Sequence, residues 1–285
     1  YPNRVNFLMV FYPKERTMKS VLRLRLREAG IAAQNIKIAA IQMASGPSVA
    51  GNLAEATVYI KKAVKAGAKV VVLPENFAFI GASEQEKLSI AEDFGRGTIQ
   101  DYLSHIAADQ HIWIFAGSIA IKAADDKVYN TLLVYNPDGL CVARYDKIHL
   151  FGFTHGAESY QESRTILAGE QAVVLELPFG DVALGVCYDI RFPELFRAMH
   201  PFNILILPAA FTAITGRAHW ELLVRTRAVE NLAFVVTAAQ GGFHLSGRET
   251  YGDSMIVDPW GQVLARLPKG TGFIAATTDL QQQAD

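Results

Sequence analysis

Three polar or reactive side chains stand at the ends of apolar runs in this sequence. Glu75 ends VVVLPE, Lys147 ends CVARYDK, and Cys187 follows ALGV. In α/β folds, binding and catalytic sites are assembled at the carboxyl ends of strands. If neighbouring strands carry the three runs, a carboxylate, an ammonium and a thiol meet at one sheet edge. They would supply a base, a charge stabiliser and a nucleophile.

The chemistry that such a trio favours is the cleavage of an amide. A thiol with a pKa of about 8.5 is mostly protonated at neutral pH, so Cys187 needs a base, and Glu75 can take its proton. As the attacked carbonyl carbon becomes tetrahedral, negative charge grows on its oxygen, where a fixed Lys147 ammonium stabilises it most. The proton on Glu75 can then pass to the leaving amine, and the same carboxylate can activate water to release the thioester.

Each of the three residues also has a purely structural interpretation. A cysteine after Gly-Val at a strand end is often a small buried hydrophobic residue. Glu75 could cap the next segment, and Lys147 could be a solvated charge at a strand end. Two functions of another class stay open with these interpretations: a non-catalytic binding module, and a thiol sensor that uses Cys187.

Strands and helices alternate in the pattern that must position the trio. IKIAAIQ from Ile36 predicts a strand, residues 52–66 a helix, and KVVVLPE a second strand, which together make a β-α-β unit. Further strands are predicted near 112–121, 131–135, 140–145, 172–177, 182–186, 204–207, 233–238, 254–257, 263–265 and 272–277, and further helices near 99–109, 193–200 and 218–231. Because the strands are too apolar to face water, we expect mixed sheets covered by helices, in three or four layers.

The first 35 residues differ from the rest in charge. They hold seven basic and two acidic residues, whereas the whole chain has a net charge of -1. The stretch VLRLRLRE from Val21 could be an edge strand, an organelle-targeting segment or sequence upstream of the true start, and we favour the last. We therefore divide the chain into a basic leader, residues 1–35, that is non-native or disordered, and a catalytic domain, residues 36–285.

Composition narrows the classes of function. With 285 residues, of which 51% are hydrophobic and 19% charged, the chain has ample material for a core. Its charge favours no nucleic-acid partner, and no apolar run approaches the roughly 20 residues of a membrane helix. Two cysteines at unrelated positions, Cys141 and Cys187, make a disulfide framework improbable and favour the reducing cytoplasm.

The sequence predicts neither a metal site nor a cofactor site. The seven histidines are scattered, without HExxH or another pair spaced to hold zinc. Glycine-rich loops of the kind that cradle phosphates before a helix are also missing. We therefore expect a small-molecule amide and water to be the reactants.

The sequence motifs around these three residues resemble those of the nitrilase superfamily of carbon-nitrogen hydrolases, whose catalytic Glu, Lys and Cys occur in this chain order. The matching segments are LPENF, YDKIHLF and GVCYDIRFPELFRAM, supported by TGRAHWELLVRTRAVEN and YGDSMIVDPWG. The resemblance covers residues 36–280. It implies a four-layer α-β-β-α sandwich that pairs into a homodimer, and a thioester intermediate on the cysteine.

The same resemblance adds members to the site. The family places a second glutamate between the lysine and the cysteine, which implies Glu162 as the orienting partner of Lys147, with Glu158 as the alternative. It also implies that the backbone N–H of Tyr188, directly after the nucleophile, is a second donor to the oxyanion.

Within the superfamily, CYDIRFPE and TGRAHW are most similar to amidases that act on deaminated glutathione and related ω-amides. This implies hydrolysis of deaminated glutathione to 2-oxoglutarate and cysteinylglycine, with 2-oxoglutaramate, N-carbamoyl amines and nitriles as alternative substrates. Because such a substrate is anionic, Arg191 is a candidate carboxylate partner, although it could instead pair with Asp189 or Glu194. The residues that would line the pocket, or else shape a turn, are Phe211, Thr212 and Thr215.

Overall fold

The computed structural model describes residues 18–27, 35–124, 126–155, 158–245 and 247–280, without the side chains of residues 154–155 and 158–159. These residues form four α-helices and sixteen strands. The helices are α1 (Val49–Lys65), α2 (Thr98–Gln110), α3 (Pro193–Met199) and α4 (Ala213–Asn231). The strands are β1 (Ser20–Arg25), β2 (Ile36–Gln42), β3 (Val70–Val72), β4 (Trp113–Phe115), β5 (Ile119–Lys122), β6 (Val128–Tyr135), β7 (Cys141–Asp146), β8 (Gly152–His155), β9 (Glu158–Gln161), β10 (Gln171–Leu177), β11 (Gly180–Leu184), β12 (Ile204–Ile206), β13 (Phe234–Thr237), β14 (Ser254–Val257), β15 (Val263–Leu267) and β16 (Gly272–Thr278).

Two mixed sheets and one hairpin account for these strands. In the first sheet the order is β16-β2-β3-β4-β6-β5, and β7 pairs with the other edge of β6. In the second sheet the order is β1-β10-β11-β12-β13-β14-β15. Strands β8 and β9 form a separate antiparallel hairpin. Parallel pairs such as β2 with β3 and β12 with β13 arise because helices connect them, as the β-α-β pattern predicts.

Side chains on β2 alternate between two apolar clusters and so reveal the layers. Ile38 and Ala40 belong to the cluster shared with the second sheet, whereas Ala39 and Ile41 pack with α1 and α2. This period of two is the rule for a strand buried on both faces. Helices α3 and α4 pack on the second sheet. The order is helix, sheet, sheet, helix, and the four-layer α-β-β-α sandwich is confirmed.

Helix α1 follows from its local sequence. Its buried apolar residues recur at intervals of three or four, at Leu53, Ala56, Ile60 and Ala63, which gives the helix one face for the first sheet. Ser48 precedes the first turn, and its side chain accepts a hydrogen bond from the backbone N–H of Gly51. Such a cap satisfies one of the free donors at a helix start.

Two elements differ from the prediction for a local physical reason. The single strand predicted over 112–121 is two strands, β4 and β5, because Gly117 turns the backbone at φ 52°. A Cβ atom there would lie 1.9 Å from the carbonyl oxygen of Pro74, so only glycine fits. Helix α4 begins at Ala213 rather than near residue 218, because the Thr212 side chain caps it. The hairpin of β8 and β9 was not predicted.

Part of the basic leader forms a strand. Ser20–Arg25 pairs in parallel with β10, and the Nε of Arg25 donates to Glu176 at 2.8 Å. The edge-strand interpretation therefore describes these residues, whereas residues 1–17 and 28–34 lie outside the described part of the chain. Across the described ranges, no helix is both long and apolar enough to cross a lipid bilayer.

Candidate active site

Glu75 lies just beyond β3, on a segment that two neighbours hold in place. The adjoining Asn76 adopts a left-handed conformation at φ 54°, and its N–H donates to the Ser118 hydroxyl at 3.0 Å. The backbone oxygen of Glu75 accepts from Gln240 Nε2 at 3.1 Å. Its buried Oε1 accepts from Asn130 Nδ2 at 2.9 Å. The carboxylate therefore has a fixed direction before any substrate binds.

Lys147 directly follows β7, and both of its backbone groups are engaged. Its N–H donates to the Asn130 carbonyl at 2.9 Å, and its carbonyl accepts from the Gly169 N–H at 2.9 Å. The side chain is fully buried, and Nζ donates to Glu75 Oε1 at 2.9 Å. Glu162 accepts from the same ammonium at 3.0 Å and 2.9 Å. The first sheet thus carries a buried cation between two carboxylates.

Glu162 begins a short 3₁₀ turn after β9, and the fold directs it onto Lys147. Besides the ammonium, its Oε2 accepts from the backbone N–H of Phe151 at 2.8 Å, which joins the hairpin to the strand end. Glu158 pairs through its backbone with His155 in the hairpin, and its side chain is outside the described atoms. The structure therefore brings Glu162, Glu75 and Lys147 together.

The three charges have unequal protonation preferences. Burial raises the pKa of Glu75, but the Lys147 ammonium and hydrogen bonds from Lys147 and Cys187 outweigh it and hold the pKa below its usual value. For Glu162, burial and the nearby Glu75 charge outweigh Lys147, and the pKa is raised. Burial lowers the pKa of Lys147, but the two carboxylates raise it well above its usual value. Glu75 is therefore the ionised base, and Lys147 stays charged.

Cys187 follows β11 of the second sheet, so the three apolar runs do not lie on neighbouring strands at one sheet edge, and the thiol meets Glu75 and Lys147 across the two stacked sheets. It stands on a sharp turn and adopts a left-handed conformation at φ 51°. A residue of this type rarely has a positive φ, which costs on the order of 1–3 kcal/mol where the surroundings enforce it. Here its N–H donates to the Pro208 carbonyl at 2.8 Å. Burial and the adjacent Glu75 carboxylate raise the pKa of the thiol well above its usual range. The pair at rest is consequently a neutral thiol beside an ionised carboxylate.

Asp189 ties the nucleophile turn to the strand end that carries Lys147. Its buried carboxylate accepts from the backbone N–H of Val186 at 2.9 Å and from the Tyr145 hydroxyl at 2.7 Å. It also accepts from the backbone N–H of His149 at 2.9 Å, and its Oδ1 lies 2.8 Å from His149 Nδ1. Burial raises the pKa of Asp189, but the His149 and Tyr145 contacts outweigh it and lower the pKa. Sequence reasoning missed this role.

Arg191 lies beside aromatic rings and away from the carboxylates considered as its partners. Its guanidinium carbon is 5.9 Å from the centre of the Tyr188 ring and 5.4 Å from that of Phe211. One terminal nitrogen is 3.2 Å from His219 Nδ1. In the described part of the chain no ion pair joins Arg191 to Asp189 or Glu194, so that structural alternative was wrong. The carboxylate of Asp189 is already occupied by its own donors.

The predicted lining residues surround a cavity above the thiol. Phe211, Thr212 and Thr215 all border it and are buried, and Tyr188 lies on the same wall. The Thr212 hydroxyl also accepts from the N–H of Thr215 at 3.3 Å, so these residues both line the pocket and begin α4. Including its open mouth, the cavity measures about 370 Å³.

Two charged residues at this cavity escaped the sequence analysis. Glu84, from the 3₁₀ turn Glu84–Leu88, and Arg248 both border it. The available signal for Arg248 was its position three residues before the YGDS segment. No cluster of three or more His, Cys, Asp or Glu side chains in the described residues is arranged to hold a metal ion.

Comparison with known proteins identifies the family. Residues 37–284 match the model of the family described as carbon-nitrogen hydrolase. The chain belongs to this family. Deaminated glutathione amidase of Synechocystis is 42% identical over 245 residues, which cover 84% of this chain and 89% of the relative. Human omega-amidase NIT2 is 35% identical over 88% of this chain and 91% of its own length.

A solved structure agrees with this assignment. Saccharomyces cerevisiae Nit3, a member of branch 10 of the nitrilase superfamily, superposes with a TM-score of 0.80 at 32% identity, covering 90% of this chain and 95% of that one. Carbon-nitrogen hydrolases cleave carbon-nitrogen bonds other than peptide bonds. With relatives named as amidases at this level of identity, the chain is an amidase.

Proposed function

We propose that this amidase hydrolyses deaminated glutathione through a thioester on Cys187. The observation that supports the mechanism best is the position of Glu75, which accepts from Lys147 and borders the same cavity as Cys187. One ionised carboxylate thus lies close both to the thiol that loses its proton and to the cation that stabilises the product charge. The name of the 42% identical relative supports the substrate.

In the first half of the reaction, Glu75 takes the thiol proton as Cys187 Sγ attacks the amide carbon. The carbonyl π electrons move to oxygen, where Lys147 Nζ and the backbone N–H of Tyr188 stabilise the negative charge. When the carbonyl re-forms, the C–N bond breaks and Glu75 gives its proton to the departing nitrogen. A free amine leaves, and an acyl thioester stays on the enzyme.

In the second half, the same carboxylate works on water. Glu75 removes a proton as the water oxygen attacks the thioester carbon. The C–S bond then breaks, Glu75 returns the proton to the sulfur, and the acid product leaves with the thiol restored. Glu162 acts as the positioning residue for Lys147, because both of its oxygens accept from the ammonium. No step requires a cofactor.

Substrate recognition in this proposal uses Arg191, which packs against Tyr188 and Phe211 of the cavity wall. The guanidinium would bind the carboxylate of the 2-oxo acyl part, while Phe211, Thr212 and Thr215 line the space for its chain. A second candidate substrate is 2-oxoglutaramate, which ends in the same acyl group but releases ammonia. The 35% identity to human omega-amidase NIT2 favours it as the alternative.

A substrate panel tests the proposal. Deaminated glutathione, 2-oxoglutaramate, N-carbamoyl amines and nitriles are compared by amine, ammonia and 2-oxoglutarate release. We expect the largest kcat/KM for deaminated glutathione; turnover of nitriles or N-carbamoyl amines alone would overturn the function. Mass spectrometry of the acid-quenched enzyme should show the acyl group on Cys187, and an acyl group on Cys141 would reassign the nucleophile.

We further propose a homodimer in the cytoplasm. Large apolar side chains lie exposed near one another on α4 and on the adjoining turn: Leu222 (69% exposed), Val229 (47%) and Trp260 (86%). Exposed apolar surface of this kind is typical of an interface. A reducing compartment keeps Cys187 as the thiol that the reaction needs. Light scattering should give twice the chain mass, and a single-chain mass would contradict the dimer.

A further inference from the structure

A groove lies beside the catalytic cavity, and the two have part of their border in common. The two spaces share three bordering residues, Asn76, Glu84 and Arg248. The groove runs from this shared border along the 3₁₀ turn Glu84–Leu88 and the turn after β9. A substrate bound with its amide at Cys187 can therefore extend one of its arms into the groove.

The groove is cationic. Lys87, Arg164 and Arg248 border it, against a single bordering carboxylate, that of Glu84, so the bordering side chains carry a net charge of +2. The Glu84 charge is already balanced, since its Oε2 lies 2.6 Å from Lys87 Nζ. Burial raises the pKa of Glu84, but Lys87 and Arg248 outweigh it and lower the pKa, so the carboxylate is ionised. The groove therefore favours an anion.

Arg248 is held in one orientation at the border of the two spaces. Its NH2 donates to the carbonyl of Ala210, a residue of the cavity wall, at 2.5 Å. The guanidinium carbon lies 5.2 Å from the centre of the Tyr160 ring, and NH1 is 4.0 Å from Glu84. Its side chain is 16% exposed. A guanidinium fixed in this way keeps its positive charge at the border of the two spaces, which favours a carboxylate there.

We propose that Arg248 and this groove bind a carboxylate on the leaving group, so that the enzyme prefers amides whose departing amine is an anionic amino acid or short peptide. This inference rests on the proposed function. The amide at Cys187 divides such a substrate into an acyl arm, directed to Arg191, and a leaving arm. An extended dipeptide spans at most about 7 Å, so its carboxylate stays close to the cavity border where Arg248 lies.

The preference can be measured on the unchanged enzyme with two matched substrates. Deaminated glutathione and its C-terminal carboxamide differ only in the charge at the end of the leaving arm. We expect the carboxamide to lose about ten- to a hundredfold in kcat/KM, the effect of removing a charge-assisted hydrogen bond. The ratio should shrink as salt is added, because the contact is partly exposed. Equal kcat/KM for the two substrates would overturn the proposal.

Variants then test Arg248 itself. Arg248→Gln should lower kcat/KM for deaminated glutathione about tenfold more than it lowers kcat/KM for the carboxamide and for 2-oxoglutaramate, whereas Arg248→Lys should keep part of the preference. The matched control is Arg96→Gln, which removes an arginine that is 81% exposed and paired with Asp93.

The outcomes separate this inference from the proposed function. An equal loss on all three substrates in Arg248→Gln would mean a structural role and would overturn the assignment, as would an unchanged preference. Failure of the unchanged enzyme to turn over either deaminated glutathione or 2-oxoglutaramate would instead overturn the proposed function. Because 2-oxoglutaramate has no leaving-group carboxylate, its turnover also reports that each variant is folded.

Discussion

The two halves of the site are positioned by different physical means. The charged half, Glu75, Lys147 and Glu162, is held by buried ion pairs of 2.9–3.0 Å. The thiol half, Cys187 with Asp189, is held by hydrogen bonds between one carboxylate and the surrounding backbone, hydroxyl and ring donors. In the charged half the same side chains hold the site together and take part in the reaction. In the thiol half Asp189 positions the turn, and Cys187 reacts.

Because of this difference, substitutions in the two halves should affect activity and stability differently. Removing one partner of a buried ion pair leaves an uncompensated charge, which costs far more than the pair itself contributes. Removing the sulfur of Cys187 leaves no charge and no unsatisfied donor on the backbone. Substitutions in the charged half should therefore damage folding and turnover together, and substitutions at the thiol should damage turnover alone.

Cys187→Ala should have the largest effect on activity. Without the nucleophile no thioester forms, and kcat should fall by at least about 10³-fold, as for other covalent nucleophiles. The free energy of unfolding should change by about 1 kcal/mol or less, because one buried sulfur is replaced in a site that keeps its ion pairs. Steady-state assays and urea unfolding measure the two effects. Retained turnover, or a loss of several kcal/mol, would contradict the separation.

Lys147→Met should have the largest effect on stability. The variant leaves Glu75 and Glu162 buried without their cation, which should cost about 3–5 kcal/mol at pH 7 together with nearly all activity. The loss should shrink toward pH 5. Without Lys147, burial raises the pKa of both carboxyls above the usual 4.5. The folded state then binds more protons than the unfolded state, so its stability increases as the pH falls.

A matched control for this variant is Lys122→Met. Lys122 lies 3.3 Å from Asp93, but its side chain is 56% exposed, and such surface pairs contribute at most about 1 kcal/mol. Chemical unfolding of both variants at pH 5 and pH 7 makes the comparison. A Lys147→Met protein as stable as the control would mean that the charged half is not held by its ion pairs.

Asp189→Asn should have an intermediate effect and act through position. The amide keeps the shape of the carboxylate but presents an N–H to donors such as Val186 and Tyr145, so at least one of them loses its acceptor. We expect a loss of about 2 kcal/mol in stability. A fall of about tenfold in kcat should accompany it, because the nucleophile turn shifts relative to Lys147. An unchanged kcat would remove Asp189 from the positioning role.

The stability difference between the unchanged protein and Asp189→Asn should depend on pH in a definite direction. The pKa of Asp189 in the folded state lies below its ordinary value of 3.8. Its stabilising contribution is therefore fully present above that value and is lost as the pH falls through the folded-state pKa. The stability difference between the unchanged protein and Asp189→Asn should be constant from pH 7 to about pH 5 and narrow in stronger acid.

The sequence predicts the catalytic residues better than it predicts the residues that hold them in place. Glu75, Lys147 and Cys187 each end an apolar run, so their choice as candidates follows from local pattern, but their meeting does not, because β3 and β7 belong to the first sheet and β11 to the second. The family motifs around these residues also distinguish a four-layer sandwich from a three-layer one, which periodicity alone does not. The choice between Glu162 and Glu158 depends on the β8-β9 hairpin, whose polar strands give no clear period-two signal.

Long-range contacts explain the rest of what was missed. Asp189 meets Tyr145 and His149 only because the two sheets stack, and no spacing along the chain predicts that contact. Arg248 reaches the cavity from a loop far from the trio in sequence. The split between β4 and β5 depends on how closely Pro74 approaches Gly117, a distance set by packing. Glycine in a predicted strand was the available signal.

The smallest effect should come from Asn76→Ala, which compares backbone strain in the two halves. Both halves contain a left-handed residue, Asn76 at φ 54° beside Glu75 and Cys187 at φ 51°. Asparagine tolerates this conformation, whereas alanine should lose about 1 kcal/mol of stability there and glycine almost none. Urea unfolding of Asn76→Ala and Asn76→Gly measures the difference. If the two variants are equally stable, the Glu75 segment does not require the left-handed conformation. If they differ as expected, the left-handed conformation in the charged half is adopted by Asn76, a residue that tolerates it. In the thiol half it is adopted by the nucleophile itself.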